Sequence, residues 1–294
     1  MHQIDRRSGL GYREFVEEYL IPRKPVVITD GIGHWRAAKE WSLDFFSQKF
    51  GTKMVRCRGQ AHDVALGDYI ANLAHSTLAN PSPYLRNISI QGNFPEVLSH
   101  ILPRFHYATP DLASSYLLPY GFPRKRYTNH LFISGRGSRI ILHYDDWMFH
   151  AVISNIQGVK RFTLFPPSDA GYLYPREDDI ILSQIPDFYN LDGSRFPLVE
   201  KATRHEVDVG PLESIFVPCG WWHTTLTLES CISVGSAFVS RWNWNAFAGE
   251  MTRIARHKKK RPLLAGMIHS YLFLVGKTLG STFPQTGSSQ DTQQ

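Results

Sequence analysis

From residue 130 onward the chain breaks into short apolar runs with turns between them, at 131–134, 140–145, 151–156, 161–165, 214–217, 224–228 and 231–239. Runs of this length and spacing read as strands, and a series of them closes into a sandwich, a barrel or a double-stranded jelly roll. The segment 166–213 interrupts the series with prolines, aspartates and tyrosines. An insertion that long in a compact β domain is more often functional or flexible than accidental.

The flanks are helical or mixed. Residues 8–21 place Phe15, Val16, Tyr19 and Leu20 at helical spacing, and Pro22 ends the pattern. A short buried strand is expected at 25–29, before the turn Asp30-Gly31. A helix over 41–50 has Ser42 as its cap and stops at Gly51. Further on, 53–57 and 84–90 read as strands, 66–78 as a helix, and 91–130 as irregular with one short helix near 94–101. Residues 242–280 return to a helical pattern, and the polar tail 281–294 is expected to be disordered.

One run in the strand series carries chemistry. Ile140, Ile141 and Leu142 lead into His143, Tyr144 and Asp145. In a strand, side chains two positions apart share a face, so His143 and Asp145 offer an imidazole and a carboxylate to one point. A second histidine completes a two-histidine, one-carboxylate set, the arrangement that holds Fe(II) with open positions. His223, after Pro218, Cys219, Gly220 and two tryptophans, is the candidate. The dyad alone is close to a chance pairing in a chain with 13 histidines. His143 by itself also suits a satisfied core position. An inward carboxylate at the end of an apolar strand, however, needs a cation or a hydrogen-bond network.

Three motifs in order carry a resemblance: Ile141-Leu-His143-Tyr-Asp145, then Gly158-Val-Lys160-Arg-Phe-Thr-Leu-Phe165, then Pro218-Cys-Gly-Trp-Trp-His223. The chain resembles the JmjC-type, cupin-like Fe(II)/2-oxoglutarate oxygenases, in the hydroxylase branch that includes factor inhibiting HIF and the tRNA wybutosine hydroxylase. The resemblance covers roughly residues 10–240. It implies a mainly β fold: a double-stranded β-helix, or jelly roll, with N-terminal α/β elements and a C-terminal helical extension. The domain would span 1–240, the extension 241–280 and the tail 281–294. It also implies that His143, Asp145 and His223 hold the iron, that Lys160 pairs with the distal carboxylate of 2-oxoglutarate, and that Tyr84 bonds the same group. Dioxygen is the further co-substrate. Ile140 stands where many members carry Thr or Ser, and Ser236 where an asparagine is common. Thr225 or Ser236 is a candidate for the missing polar contact. A longer turn is expected near residues 147–150, because the spacing from the dyad to Lys160 is extended. Tyr144, Trp147 and Trp221 are candidate substrate-pocket walls. His150 is a candidate support for a ligand or a core histidine.

The net charge of +6 sits at one end. Residues 1–250 balance 25 basic against 25 acidic residues, and 251–294 hold seven basic residues against Asp291. A neutral body argues against a body-wide phosphate-binding surface, so nucleic acid is possible but not favoured as a partner. The apolar run 262–275 is too short to span a bilayer. Its competing readings are a dimerising helix pair, as in related enzymes, a helix packed on its own roll, and an interfacial anchor. The three cysteines show no metal spacing, and the N-terminus has no apolar leader. An intracellular setting is expected, cytoplasmic or, in a eukaryote, nuclear. The leading expectation is a hydroxylase of a protein or peptide side chain. The alternatives are a hydroxylase of a tRNA base or small metabolite, and a non-catalytic cupin-like binding module.

Overall fold

The computed structural model describes residues 2–57, 60–118, 129–257 and 262–282. The strands, in chain order, are β1 (His2–Gln3), β2 (Asp5–Arg7), β3 (Val26–Ile28), β4 (Met54–Val55), β5 (Val64–Ala65), β6 (Leu85–Ser89), β7 (His130–Ser134), β8 (His150–Gln157), β9 (Lys160–Phe165), β10 (His205–Val209), β11 (Ser214–Val217), β12 (Trp222–Thr227) and β13 (Cys231–Phe238). They form a seven-stranded sheet, β2-β3-β11-β8-β13-β7-β6, a four-stranded sheet, β1-β10-β9-β12, and the small ribbon β4-β5. Val27, Ala151, Phe162, Leu164, Val209, Ile215 and Val217 come from both larger sheets and share one buried cluster with Ile4, which lies between β1 and β2. The two sheets are therefore the walls of a jelly roll.

β8 and β9 belong to different sheets and meet at a tight turn. Gly158 there has φ +76°, and a Cβ would lie 2.2 Å from the Ser230 carbonyl oxygen, so only glycine fits. The larger core lies beneath the helical N-terminal half, where Phe15, Tyr19, Phe46, Phe94 and Phe105 bury against the outer face of the seven-stranded sheet through Val26, Ile28 and Phe216. The first helix starts at Tyr12–Phe15 and widens to a π-turn over Val16–Leu20. The Ser42 hydroxyl accepts from the Phe45 amide and caps the helix Leu43–Phe50.

Two expectations change. The run 140–145 is not a regular strand. It touches β12 through isolated bridges, Arg139 with Leu226 and His143 with His223. Four steps on one side match three on the other, which is a bulge. The long segment 166–213 is not loose. It holds β10 and three short 3₁₀ turns, Pro167–Tyr172, Phe188–Asn190 and Pro197–Lys201. It buries Leu173, Ile185, Phe188 and Phe196 against Leu142, Phe165 and Trp222.

The C-terminal extension forms two packed helices, Trp244–His257 and Pro262–Thr282. The Trp244 indole N–H donates to the Leu272 carbonyl at 2.9 Å. Phe247, Leu272 and Val275 close over Phe149 and Val239 at the end of the roll. Residues 258–261 of the basic run and residues 283–294 of the expected disordered tail lie outside the described residues.

Candidate metal centre

The bulge and β12 bring the two histidines together. The His143 amide donates to the His223 carbonyl at 3.0 Å, and the His223 amide returns the bond to His143 at 2.6 Å. The two rings lie 4.4 Å apart at 48°. Each ring is oriented by its own backbone. His143 Nδ1 sits 2.8 Å from the Ile141 carbonyl, and His223 Nδ1 sits 3.1 Å from the Trp221 carbonyl. A carbonyl only accepts, so each Nδ1 carries the proton and each Nε2 keeps its lone pair. Asp145 Oδ1 lies 4.0 Å from His143 Nε2. One ligand atom from each of the three residues falls within 4.8 Å of the others, the one such group among the described residues. Burial, with His223 beside it, holds His143 well below the usual imidazole range. Burial raises the Asp145 carboxyl, and His223 partly offsets this. The site therefore favours a neutral imidazole at His143 and penalises a bare carboxylate at Asp145, a penalty that a divalent cation would reverse. Three N and O ligands on one side fit a metal that keeps positions open.

Beside this group lies an inner cavity of about 100 Å³, lined by Tyr84, Lys160, His223 and Thr225 among others. Lys160 is 1% exposed. Its ammonium donates to the Tyr84 hydroxyl at 2.7 Å and to Ser233 Oγ at 2.8 Å. Ser233 in turn donates to Asn155 Oδ1 at 2.8 Å, and the Asn155 amide donates to the Val209 carbonyl. This relay turns the Ser233 lone pairs toward the lysine. No Asp or Glu pairs with Lys160 among the described residues. A buried cation with neutral partners alone is costly, and an anion in this cavity would offset that cost. The Thr225 hydroxyl is buried with no partner in the same cavity wall.

The profile of the family described as a cupin-like domain matches residues 12–245. The chain belongs to the cupin-like, JmjC-type family of Fe(II)/2-oxoglutarate-dependent oxygenases. It is similar to the arginine-specific demethylase JMJ20 of Arabidopsis thaliana, 25% identical over 272 residues, covering 82% of this chain and 58% of the relative. It is similar to tRNA wybutosine-synthesizing protein 5 of Homo sapiens, 27% identical over 254 residues, covering 79% and 76%. It also matches HSPB1-associated protein 1 of Homo sapiens, 27% identical over 226 residues, covering 70% and 46%. The match to the first of these spans little more than half of that protein's length.

Above His143, Asp145 and His223 the chain has an open outer cavity of about 490 Å³. Trp147 lines it, with φ +65° in the turn Asp146–Met148 that lengthens the path to β8. Asp179 and Ile181 of the long segment form part of the wall, because Tyr144 donates its amide to Ile181 and Ser183 to Leu142. Tyr144 and Trp221 lie elsewhere. Tyr144 alternates away from His143 and Asp145 and packs edge-on against Trp222, at 5.1 Å between centroids. The Trp221 indole donates to the Arg23 carbonyl at 2.8 Å and packs in the inter-sheet core. Ser236 faces the outer cavity, away from the inner cavity of Lys160, and its hydroxyl donates to Asn129 Oδ1 at 2.6 Å. Ser138 donates to the Ser82 carbonyl. His150 is a core residue: Nδ1 accepts from the Cys219 amide at 3.1 Å and steadies the turn before His223.

The sequence reading missed Arg86 and Asn87, which border both cavities. Strand period two from Tyr84 places Arg86 on the same face, so that signal was present. It also missed Asn155 and Ser233, whose sign was a polar residue inside an apolar strand. No helix among the described residues is long and apolar enough to cross a membrane.

Proposed function

We propose that this oxygenase is an Fe(II)- and 2-oxoglutarate-dependent dioxygenase that hydroxylates a C–H bond of a protein or peptide side chain, releasing succinate and carbon dioxide. The observation that carries the reading is one of adjacency: a metal-competent triad borders an inner cavity whose buried lysine has no carboxylate partner among the described residues. His143, Asp145 and His223 would hold Fe(II), and Lys160 with Tyr84 would hold the distal carboxylate of 2-oxoglutarate. When bound, the iron, with 2-oxoglutarate and dioxygen, supplies the oxidising power for C–H hydroxylation. The chain itself orients and excludes water. The backbone carbonyls of Ile141 and Trp221 fix the two imidazoles. Tyr84 accepts from Lys160, which leaves its own O–H to donate to an anion. The outer cavity is wide enough to admit a side chain and is walled by Trp147 and Ile181. An exposed apolar helix face in the C-terminal extension, with Leu263, Met267 and Leu274, supports a homodimer through these helices.

A second reading is hydroxylation of a tRNA base. It is favoured by the match that covers 76% of a tRNA wybutosine-synthesizing protein and by the basic run after residue 250. The third, a binding module without turnover, lacks a reason to retain the triad and the buried lysine together.

Anaerobic addition of Fe(II) and 2-oxoglutarate is expected to give a visible charge-transfer band, and His143→Ala or Asp145→Ala to abolish it. Folded protein without the band would remove the enzyme reading. Succinate release with peptide pools against bulk tRNA then separates the two substrate classes. Stimulation by tRNA alone would replace the peptide assignment.

A further inference from the structure

We propose that the Thr225 hydroxyl is the donor that partners Lys160 and Tyr84 on the distal carboxylate of the dicarboxylate co-substrate, in place of a hydroxyl at position 140. The inference rests on the co-substrate reading above.

Four observations converge on Thr225. Its hydroxyl is buried and has no hydrogen-bond partner. Buried hydroxyls without partners are rare, because each one forgoes the bonds it made to water. Thr225 follows His223 by two positions on β12, so both point to the same face, the face of the inner cavity. It pairs directly with Phe162 on β9, and Lys160 is two residues from Phe162 on that strand. Thr225 and Lys160 are therefore diagonal neighbours on one face. Across the bulge, the Ile140 amide donates to the Thr225 carbonyl at 3.3 Å. Ile140 lines the same cavity and has nothing to donate. The one side-chain hydroxyl of this bridged pair thus lies on β12, beside Lys160. Thr224 is not a substitute, since its hydroxyl already donates to the Ile140 carbonyl at 2.5 Å.

The test is binding, not turnover. Fe(II)-loaded protein is titrated anaerobically with 2-oxoglutarate, following the charge-transfer band and the shift in Tm. Thr225→Val is expected to weaken 2-oxoglutarate by about ten- to a hundredfold, the scale of one bond to a charged group. Without 2-oxoglutarate the same variant is expected to melt higher than the native protein, because an unpaired buried hydroxyl has been removed. Thr225→Ser is expected to keep the affinity within a few-fold. Ile140→Thr placed in the Thr225→Val background is expected to recover most of it, which also serves if the single variant folds poorly. Equal weakening by Val and Ser, or affinity unchanged in Thr225→Val while native protein binds, overturns the assignment and leaves the co-substrate reading intact. Native protein that binds no 2-oxoglutarate overturns both.

Discussion

At the scale of single residues, the fold sets the behaviour of its titratable groups by what they touch. His150 is wholly buried, and burial pulls its imidazole down to about 3. Its Nδ1 accepts from the Cys219 amide, so protonation would break the contact that steadies the turn before His223. The unfolded chain binds a proton at His150 below about pH 6.5, and the folded chain does not until about pH 3. Stability is therefore complete above pH 6.5 and falls with decreasing pH, by about 1.4 kcal/mol per unit for this one group. His150→Gln is expected to be less stable at pH 7 and to have a flatter slope, by about one proton, in urea titrations between pH 7 and pH 5. An unchanged slope would mean that His150 is not buried neutral. Lys160 is the opposite case, a charge kept in the core by hydrogen bonds to two hydroxyls.

At the scale of elements, the site depends on a segment that carries none of its ligands. The stretch 166–213 pairs with the bulge through the amides of Tyr144 and Ser183, and it packs through Phe188 against Phe165 at 5.4 Å. Phe188 is 7% exposed, so Phe188→Ala is expected to cost about 3 kcal/mol in urea unfolding. Exchange at the amides of Tyr144 and Ser183 is expected to speed up more than at Leu226 in β12, because the bulge loses its outer partner first. Uniform acceleration would show that the segment and the roll open together. The alternation of strands was legible from residue to residue in the sequence. The bulge was not, since an extra residue shows itself only against the partner strand. Tyr144 and Trp221 are neighbours of candidate ligands in the sequence, but Tyr144 alternates to the other face and Trp221 lies in the turn before β12, so neither faces the opening.

At the scale of the whole molecule, the C-terminal helices close the end of the roll with one face and expose the other. Ala265, Leu272, Val275 and Leu279 are buried, while Leu263 is 86% exposed, Met267 69% and Leu274 63%. A helix apolar on both faces normally has a second partner. Native protein is expected to run as a dimer in light scattering. Gln at positions 263, 267 and 274 together is expected to give a monomer with unchanged helix content. A monomeric native chain would assign this face to another partner.

The sequence alone determined the types and order of the candidate ligands, most of the strand series and the Ser42 cap, and the resemblance it carries pointed to Lys160. These follow from local chemistry and from periodicities of two and 3.6 residues, which need no distant partner. Only the tertiary structure decided which side chains meet. It brought His223 to His143 by mutual backbone bonds, and it built the relay Asn155–Ser233–Lys160 from three strands. It sent Ser236 to Asn129 and left Thr225 unpaired beside Lys160. Those outcomes turn on register and on the bulge, where a shift of one residue exchanges the faces of a strand.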